Sequence, residues 1–82
     1  MTDEPRRVPR AELVRAAIIA DLKDAGEPLP LSRMTRARRV AKDARELHVH
    51  ADRLVDSGRL TRHGLGYHQG DPYRYELELA PF

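Results

Sequence analysis

The clearest pattern along the chain is a helical repeat of apolar positions between Asp43 and Gly58. Apolar residues recur there at spacings of three and four, which places them on one face of an α-helix. That face consists of Ala44, Leu47, Ala51, Leu54 and Val55. Asp43 is a good N-terminal cap, Glu46 three residues later suggests an acidic variant of the capping box, and Gly58 can adopt the left-handed C-terminal cap. The pattern predicts a helix over 43–57.

Two further helices are predicted upstream. Pro9 stands where a first helical residue would be, and the apolar stripe that follows ends at Gly26. This stripe consists of Leu13, Val14, Ala17, Ile18, Leu22 and Ala25. A shorter stripe of Met34, Ala37 and Val40 or Ala41 predicts a second helix of two to three turns from about Ser32. The connector 26–31 contains two prolines and is expected to be extended.

After Gly58 the repeat changes from a helical period to a period of two, which is typical of strands. We predict a short strand over 60–63 and a second over 73–79, where Tyr73, Tyr75, Leu77 and Leu79 share one face. The loop over 64–72 holds three glycines and a proline, so it should project as a flexible tip. The expected fold class is α+β, with three helices followed by a two-stranded β-hairpin.

The 82 residues suffice for one domain with a modest core, which we place at 9–80. Residues 1–8 show no apolar periodicity and are expected to form a flexible arm. It is either a solvated tail or a basic contact to the phosphate backbone or minor groove of DNA through Arg6, Arg7 and Arg10. The chain has no cysteine, and no apolar stretch is long enough for a signal peptide or a membrane span. We therefore expect a cytoplasmic protein.

Charge is distributed unevenly, although the formal net charge is only +2. The run from Arg33 to Lys42 contains five cations and no acid, whereas acids dominate the last predicted strand. Such a local basic surface is what a polyanion would meet. The alternative is that these arginines merely solvate a helix surface.

The stretch from Met34 to Leu60 resembles the helix-turn-helix of winged-helix regulators, including the arsenic-repressor-like and multiple-antibiotic-resistance-regulator-like groups. The resemblance rests on an alanine and an aliphatic residue, a short turn, a capping residue, the apolar face of the next helix and the ending DSGRL. These residues are Ala37, Val40, Asp43, Leu47, Ala51, Leu54 and 56–60. The resemblance covers 31–79 and implies a winged helix-turn-helix with 43–57 as recognition helix and 60–79 as wing. In such domains Leu29 and Leu31 would supply a short extra strand after the first helix.

The resemblance implies sequence-specific binding of double-stranded DNA, as in a small transcriptional regulator. The recognition helix would then expose Arg45, Glu46, His48, Val49, Asp52 and Arg53 to the major groove. Backbone contacts would come from Arg33, Arg36, Arg39 and Lys42, and wing contacts from Arg62, His63, His68 and Arg74. Arg45, in the first turn of the helix, could donate to the O6 and N7 atoms of guanine.

The residues point to no enzyme, metal site, cofactor or small-molecule substrate. His48 and His50 diverge on a helix, and the glycines at 64, 66 and 70 do not precede a helix as in a phosphate loop. The rival interpretation is a protein-binding winged-helix module, an assembly or replication accessory that resembles the C-terminal domain of minichromosome maintenance helicases. Low net charge and the acids Glu46 and Asp52 support it. A homodimer through the first helix or an edge strand stays open.

Overall fold

The computed structural model describes residues 9–66 and 69–78. Three helices, α1 (Arg10–Ala25), α2 (Thr35–Val40) and α3 (Ala44–Asp56), are followed by two strands, β1 (Leu60–His63) and β2 (Arg74–Leu77). The predicted fold class is confirmed: the layout is α+β, and it is compatible with a winged helix. The expected arm over 1–8, His68 in the loop, and the end of the second strand at Leu79 lie outside the described residues.

One core joins the three helices to the hairpin. The four largest side chains that are fully buried are Val14 and Ile18 from α1, Met34 before α2, and Tyr75 from β2. The predicted face of α3 packs onto them through Leu47, Ala51 and Leu54. None of the helices that the structure describes is long and apolar enough to cross a lipid bilayer.

Helix α1 differs from the prediction at its start and in its stripe. Pro9 precedes the helix and does not open it: its ψ of 142° is extended, and its carbonyl accepts the N–H groups of Glu12 and Leu13 at 3.0 and 3.2 Å. Leu13 was expected in the buried stripe but is 46% exposed. The predicted stripe residues Val14, Ile18 and Leu22 are buried, and Asp21, which the stripe did not include, is buried with them.

The second helix is shorter than the two to three turns expected. A single 3₁₀ turn covers Leu31–Arg33, and α2 begins only at Thr35 because Met34, with a ψ of 82°, is not helical. A methionine cannot cap a helix. The carboxylate of Asp21 in α1 does so, accepting the N–H of Ala37 at 3.0 Å and that of Arg36 at 3.3 Å. The first turn of α2 is therefore bonded to α1 through a residue distant in sequence.

Helix α3 has the caps that the sequence predicts. Asp43 Oδ1 accepts the N–H of Glu46 at 2.8 Å, and Gly58 at the other end has a φ of 81°. The capping box is modified, because Glu46 accepts the N–H of Lys42 at 2.8 Å rather than that of the cap residue. This contact fastens α3 to the turn that precedes it.

The hairpin pairs β1 with β2 in antiparallel register, from Leu60 opposite Leu77 to His63 opposite Arg74. The second strand is shorter than predicted. Within the loop, an isolated antiparallel bridge pairs Gly66 with Asp71. A further bridge joins Leu29 to Tyr75, with N–H to carbonyl distances of 3.0 and 2.8 Å. The connector after α1 thus adds one paired residue to the edge of the sheet. Leu31 does not extend it because it belongs to the 3₁₀ turn.

Candidate nucleic-acid interface

The outward face of α3 is polarised along the helix. Residues opposite the buried face fall at spacings of four, three and four, and they are Arg45, Val49, Asp52 and Asp56. The cation lies in the first turn, beside the partial positive charge of a helix N-terminus. The two acids lie in the second half. Only the N-terminal end of this face is electrostatically suited to a polyanion.

A cluster of cations surrounds α2 and the turn into α3. We call it the α2 patch; its members are Arg33, Arg38, Arg39, Lys42 and Arg45, and all five are exposed. Over the described residues, no carboxylate oxygen lies within 4 Å of their charged groups. Arg38 is held by the carbonyl of Ser32 at 3.0 Å, a contact that leaves its charge uncompensated. The patch is therefore a surface of unpaired positive charge.

Positive charge is concentrated in the segment that contains this surface, compared with the rest of the chain. Residues 31–45 contain six cations and one acid, Asp43, whose carboxylate is engaged as the α3 cap. Because the whole chain carries +2, the residues outside this segment carry a net −3. Arg38 and Lys42 also border a groove of about 510 Å³ between the 3₁₀ turn and the start of α3.

Arg36 belongs to the same basic run, but the structure places it against α1. Its Nη1 atom lies 3.3 Å from the carbonyl of Ala20 and 3.4 Å from Asp21 Oδ1, and Nη2 pairs with Asp24. The hydrogen bond and the charge of Asp24 raise the pKa of the Arg36 guanidinium above its ordinary value. This side chain joins α1 to α2, and its charge is already compensated.

Two other members of the predicted recognition face are likewise turned to α1. Glu46 Oε2 pairs with Arg10 at 2.9 Å while Oε1 holds the backbone of Lys42. Arg53 borders a groove of about 570 Å³ together with Arg15 and Arg59, on the side of α3 that faces α1. Of the residues predicted to face the major groove, Arg45, Val49 and Asp52 share the outward face, and Arg45 is its one cation.

Every described cation of the hairpin that the sequence nominated has a carboxylate partner. Arg62 Nη1 pairs with Asp52 of α3 at 2.9 Å. His63 Nε2 lies 3.0 Å from Glu76, and Arg74 Nη1 lies 3.3 Å from Asp71. The guanidinium of Arg62 also stacks on the ring of Tyr73, 4.7 Å from its centroid. In the described part of the hairpin, these three basic side chains are therefore each engaged by a carboxylate.

The histidines of α3 do not form a metal site. His48 is exposed and its Nε2 atom lies 3.2 Å from Asp52, whereas His50 is buried, with no hydrogen-bond partner for Nδ1 in the described part of the chain. Burial lowers the pKa of the His50 imidazole, and the charge of Arg15 acts in the same direction. Within 9–66 and 69–78, no group of three or more His, Cys, Asp or Glu residues could hold a metal ion.

Sequence reasoning missed Asp21 and the role of Asp52. A signal for Asp21 was present, since an acid within an apolar helical stripe is expensive to bury unless it is bonded, and the following helix lacks a cap residue of its own. Asp52 was recognised as exposed on α3, but its pairing with Arg62 depends on how the hairpin packs on the helix.

Comparison with protein-family models, with curated proteins and with solved structures found no match to this chain. The resemblance to winged-helix regulators consequently stays a prediction from the residues. The fold and the placement of charges are what bear on function.

Proposed function

We propose that this domain binds double-stranded DNA sequence-specifically, as a small transcriptional regulator. The N-terminal end of α3 enters the major groove, and the α2 patch lies along the phosphate backbone. The observation that carries the proposal is the α2 patch itself, five exposed cations with no carboxylate partner in the described residues. Phosphate contacts of this kind supply most of the affinity of a protein for DNA.

The polarity of α3 supports the same orientation. Arg45 and the turn residue Lys42 lie at its N-terminal end, where the helix dipole also favours anions. Asp56 lies at the far end, where it would repel a phosphate. A recognition helix reads bases mainly through residues near its start, and Arg45 is placed there with an exposed side chain. Its guanidinium has the donor geometry that matches a guanine edge.

The decisive experiment compares two arginines of α2 that differ in their partners. Fluorescence anisotropy with a labelled duplex, selected from a random pool, gives the dependence of log K on log salt for each variant. Arg39→Ala should lower the magnitude of this slope by about 0.9, because one phosphate contact is lost. Arg36→Ala should leave the slope unchanged, because Asp21 and Asp24 already compensate its charge.

Circular dichroism melting verifies that both variants are folded. Wild-type protein that shows no salt-dependent binding even at low salt would exclude the DNA-binding function. If the two variants had equal slopes, the α2 patch would not be the phosphate-binding surface.

A second candidate, a protein-binding module used in assembly or replication, has one observation in its favour. A groove of about 640 Å³ lies between the connector, α3 and the hairpin, with Leu31, Tyr73 and the 71% exposed Leu65 along it. A single exposed apolar residue is common on protein surfaces, and it is the apolar lining beside Leu65, from Leu31, Pro72 and Tyr73, that supports a contact surface here. This candidate predicts that Leu65→Ser abolishes function in the cell while DNA affinity is unchanged. If Arg39→Ala instead loses both DNA affinity and cellular function, the result favours the first proposal.

A further inference from the structure

Asp52 connects α3 to the hairpin through both of its carboxylate oxygens. Oδ1 lies 2.9 Å from Nη1 of Arg62 in β1, and Oδ2 lies 3.2 Å from Nε2 of His48, one helical turn earlier in α3. The three side chains are between about a third and a half exposed, at 35, 37 and 49% for Asp52, Arg62 and His48. The cluster is therefore open to solvent and to a ligand.

Arg62 does not depend on Asp52 alone for its position. Its guanidinium lies over the ring of Tyr73 at 4.7 Å, and its backbone is paired with Tyr75 in the sheet. Stacking on an aromatic ring fixes the plane of a guanidinium while leaving its N–H groups available. Removal of the carboxylate would leave the arginine held at the junction of α3 and the hairpin.

The donors that converge on Asp52 are those that bind phosphate. Arginine donates N–H groups to two oxygens of a carboxylate or of a phosphate in the same manner, and a phosphodiester has two unesterified oxygens. We propose that Arg62 and His48 carry the donors of a binding site for a phosphodiester of the DNA backbone, and that Asp52 blocks this site as long as its carboxylate is present. The inference rests on the proposed function and defines the contribution of the hairpin to it.

Asp52 would act as an internal competitor. Ion pairs between exposed side chains are weak, so a nearby phosphate can displace the carboxylate, but the displaced charge then repels the same phosphate. The hairpin thus adds little to non-specific binding as long as Asp52 is present. Neutralisation of Asp52 would convert Arg62 into an unpaired cation like those of the α2 patch.

A matched pair of variants on α3 tests this. Asp52→Asn and Asp56→Asn each remove one negative charge from the same outward face, but Asp56 has no ion-pair partner among the described residues. The salt dependence of binding to one selected duplex is measured for both. We expect the slope of Asp52→Asn to be steeper by about 0.9, which corresponds to one additional phosphate contact. Its affinity gain over Asp56→Asn should then be about threefold larger at 50 mM than at 200 mM salt.

Arg62→Gln identifies the cation responsible. In the wild-type background it should leave the slope unchanged, because Arg62 is already paired, whereas in the Asp52→Asn background it should abolish the steeper slope. Equal slopes for Asp52→Asn and Asp56→Asn would overturn the proposal, as would a slope reduced by about 0.9 in Arg62→Gln alone. A wild-type domain that binds no duplex at low salt would instead exclude the DNA-binding function, an outcome that the same titrations distinguish.

Discussion

The α2 patch and the hairpin are both rich in cations, yet they differ in what those cations contact. Around α2, five exposed cations have no carboxylate within 4 Å in the described residues, whereas Arg62, His63 and Arg74 of the hairpin each have one. Both regions were nominated for DNA binding on the same ground, the presence of basic residues. The comparison shows that two regions with several basic residues each can differ in whether neighbouring acids compensate their charge.

The difference has a local cause. In a hairpin, directly opposite and diagonal residues come into contact, so the acids of one strand reach the cations of the other. Glu76 lies opposite Thr61 and reaches His63 in this way. On a helix the corresponding neighbours are three and four residues away. The run from Arg33 to Lys42 contains no acid, and the first acids after it, Asp43 and Glu46, are engaged as the α3 cap and by the backbone N–H of Lys42. Arg36 is compensated only because α1 supplies Asp21 and Asp24.

The largest effect is expected on the stability of the domain, from substitutions on the buried face of α3, against which both regions are held. Leu54→Ala or Leu47→Ala should destabilise the domain by roughly 2–4 kcal/mol, because each leaves a cavity against α1 and the sheet. Urea unfolding measures this, with the half-exposed Val49→Ala as a control that should cost under about 0.5 kcal/mol. If Leu54→Ala and Val49→Ala lowered the free energy of unfolding by equally small amounts, the assignment of the buried and outward faces of α3 would be wrong.

Most of the elements were predictable because they are determined by residues close in sequence. The period of α3, its Asp43 cap and the alternation in β2 are local signals, and the structure contains all three. Errors fall where a second element intervenes. Met34 interrupts the expected continuous helix, and the helix that follows depends on Asp21, fourteen residues before its first turn.

For the candidate site, the sequence predicted which basic residues are present but not which of them are paired with acids. Sequence spacing placed Arg36 and Arg39 on one short helix and could not show that Arg36, unlike Arg39, forms ion pairs with the carboxylates of α1. The same limit applies to Arg62, whose partner Asp52 lies ten residues earlier in a different element. Pairing between side chains depends on tertiary packing, which a single sequence does not specify.

An intermediate effect should separate the two regions directly. Arg45→Ala in the first turn of α3 should cost about 1–3 kcal/mol on a selected duplex and less on a scrambled one, because the proposed function has this guanidinium reading a base edge. Arg74→Ala in the hairpin should cost under about 1 kcal/mol on both, since Asp71 already pairs with it. Anisotropy titrations with both duplexes measure the four affinities. Equal losses on the two duplexes for Arg45→Ala would remove its base-reading role, and a larger loss for Arg74→Ala would reverse the comparison.

The smallest effect expected is on the pH dependence of stability, through Glu46, whose carboxylate accepts the backbone N–H of Lys42 in the turn beside the α2 patch. The backbone N–H of Lys42 lowers the pKa of Glu46 below its ordinary value; partial burial opposes this, and the charge of Arg10 adds to it. A lowered pKa means that the ionised form stabilises the folded state. This contribution is complete above the carboxyl pKa of the unfolded chain, about 4.3, and is lost as the pH falls through the lower pKa of the folded state.

Glu46→Gln keeps an oxygen that can accept the Lys42 N–H but carries no charge. The wild type should therefore be more stable than this variant at about pH 6, and the difference should shrink as the pH is lowered through about 4 towards 3. Urea unfolding at several pH values measures the difference, and Arg10→Gln in both backgrounds shows how much of it comes from the ion pair with α1. A stability difference that stays constant between these pH values would mean that Glu46 is not ionised against the turn.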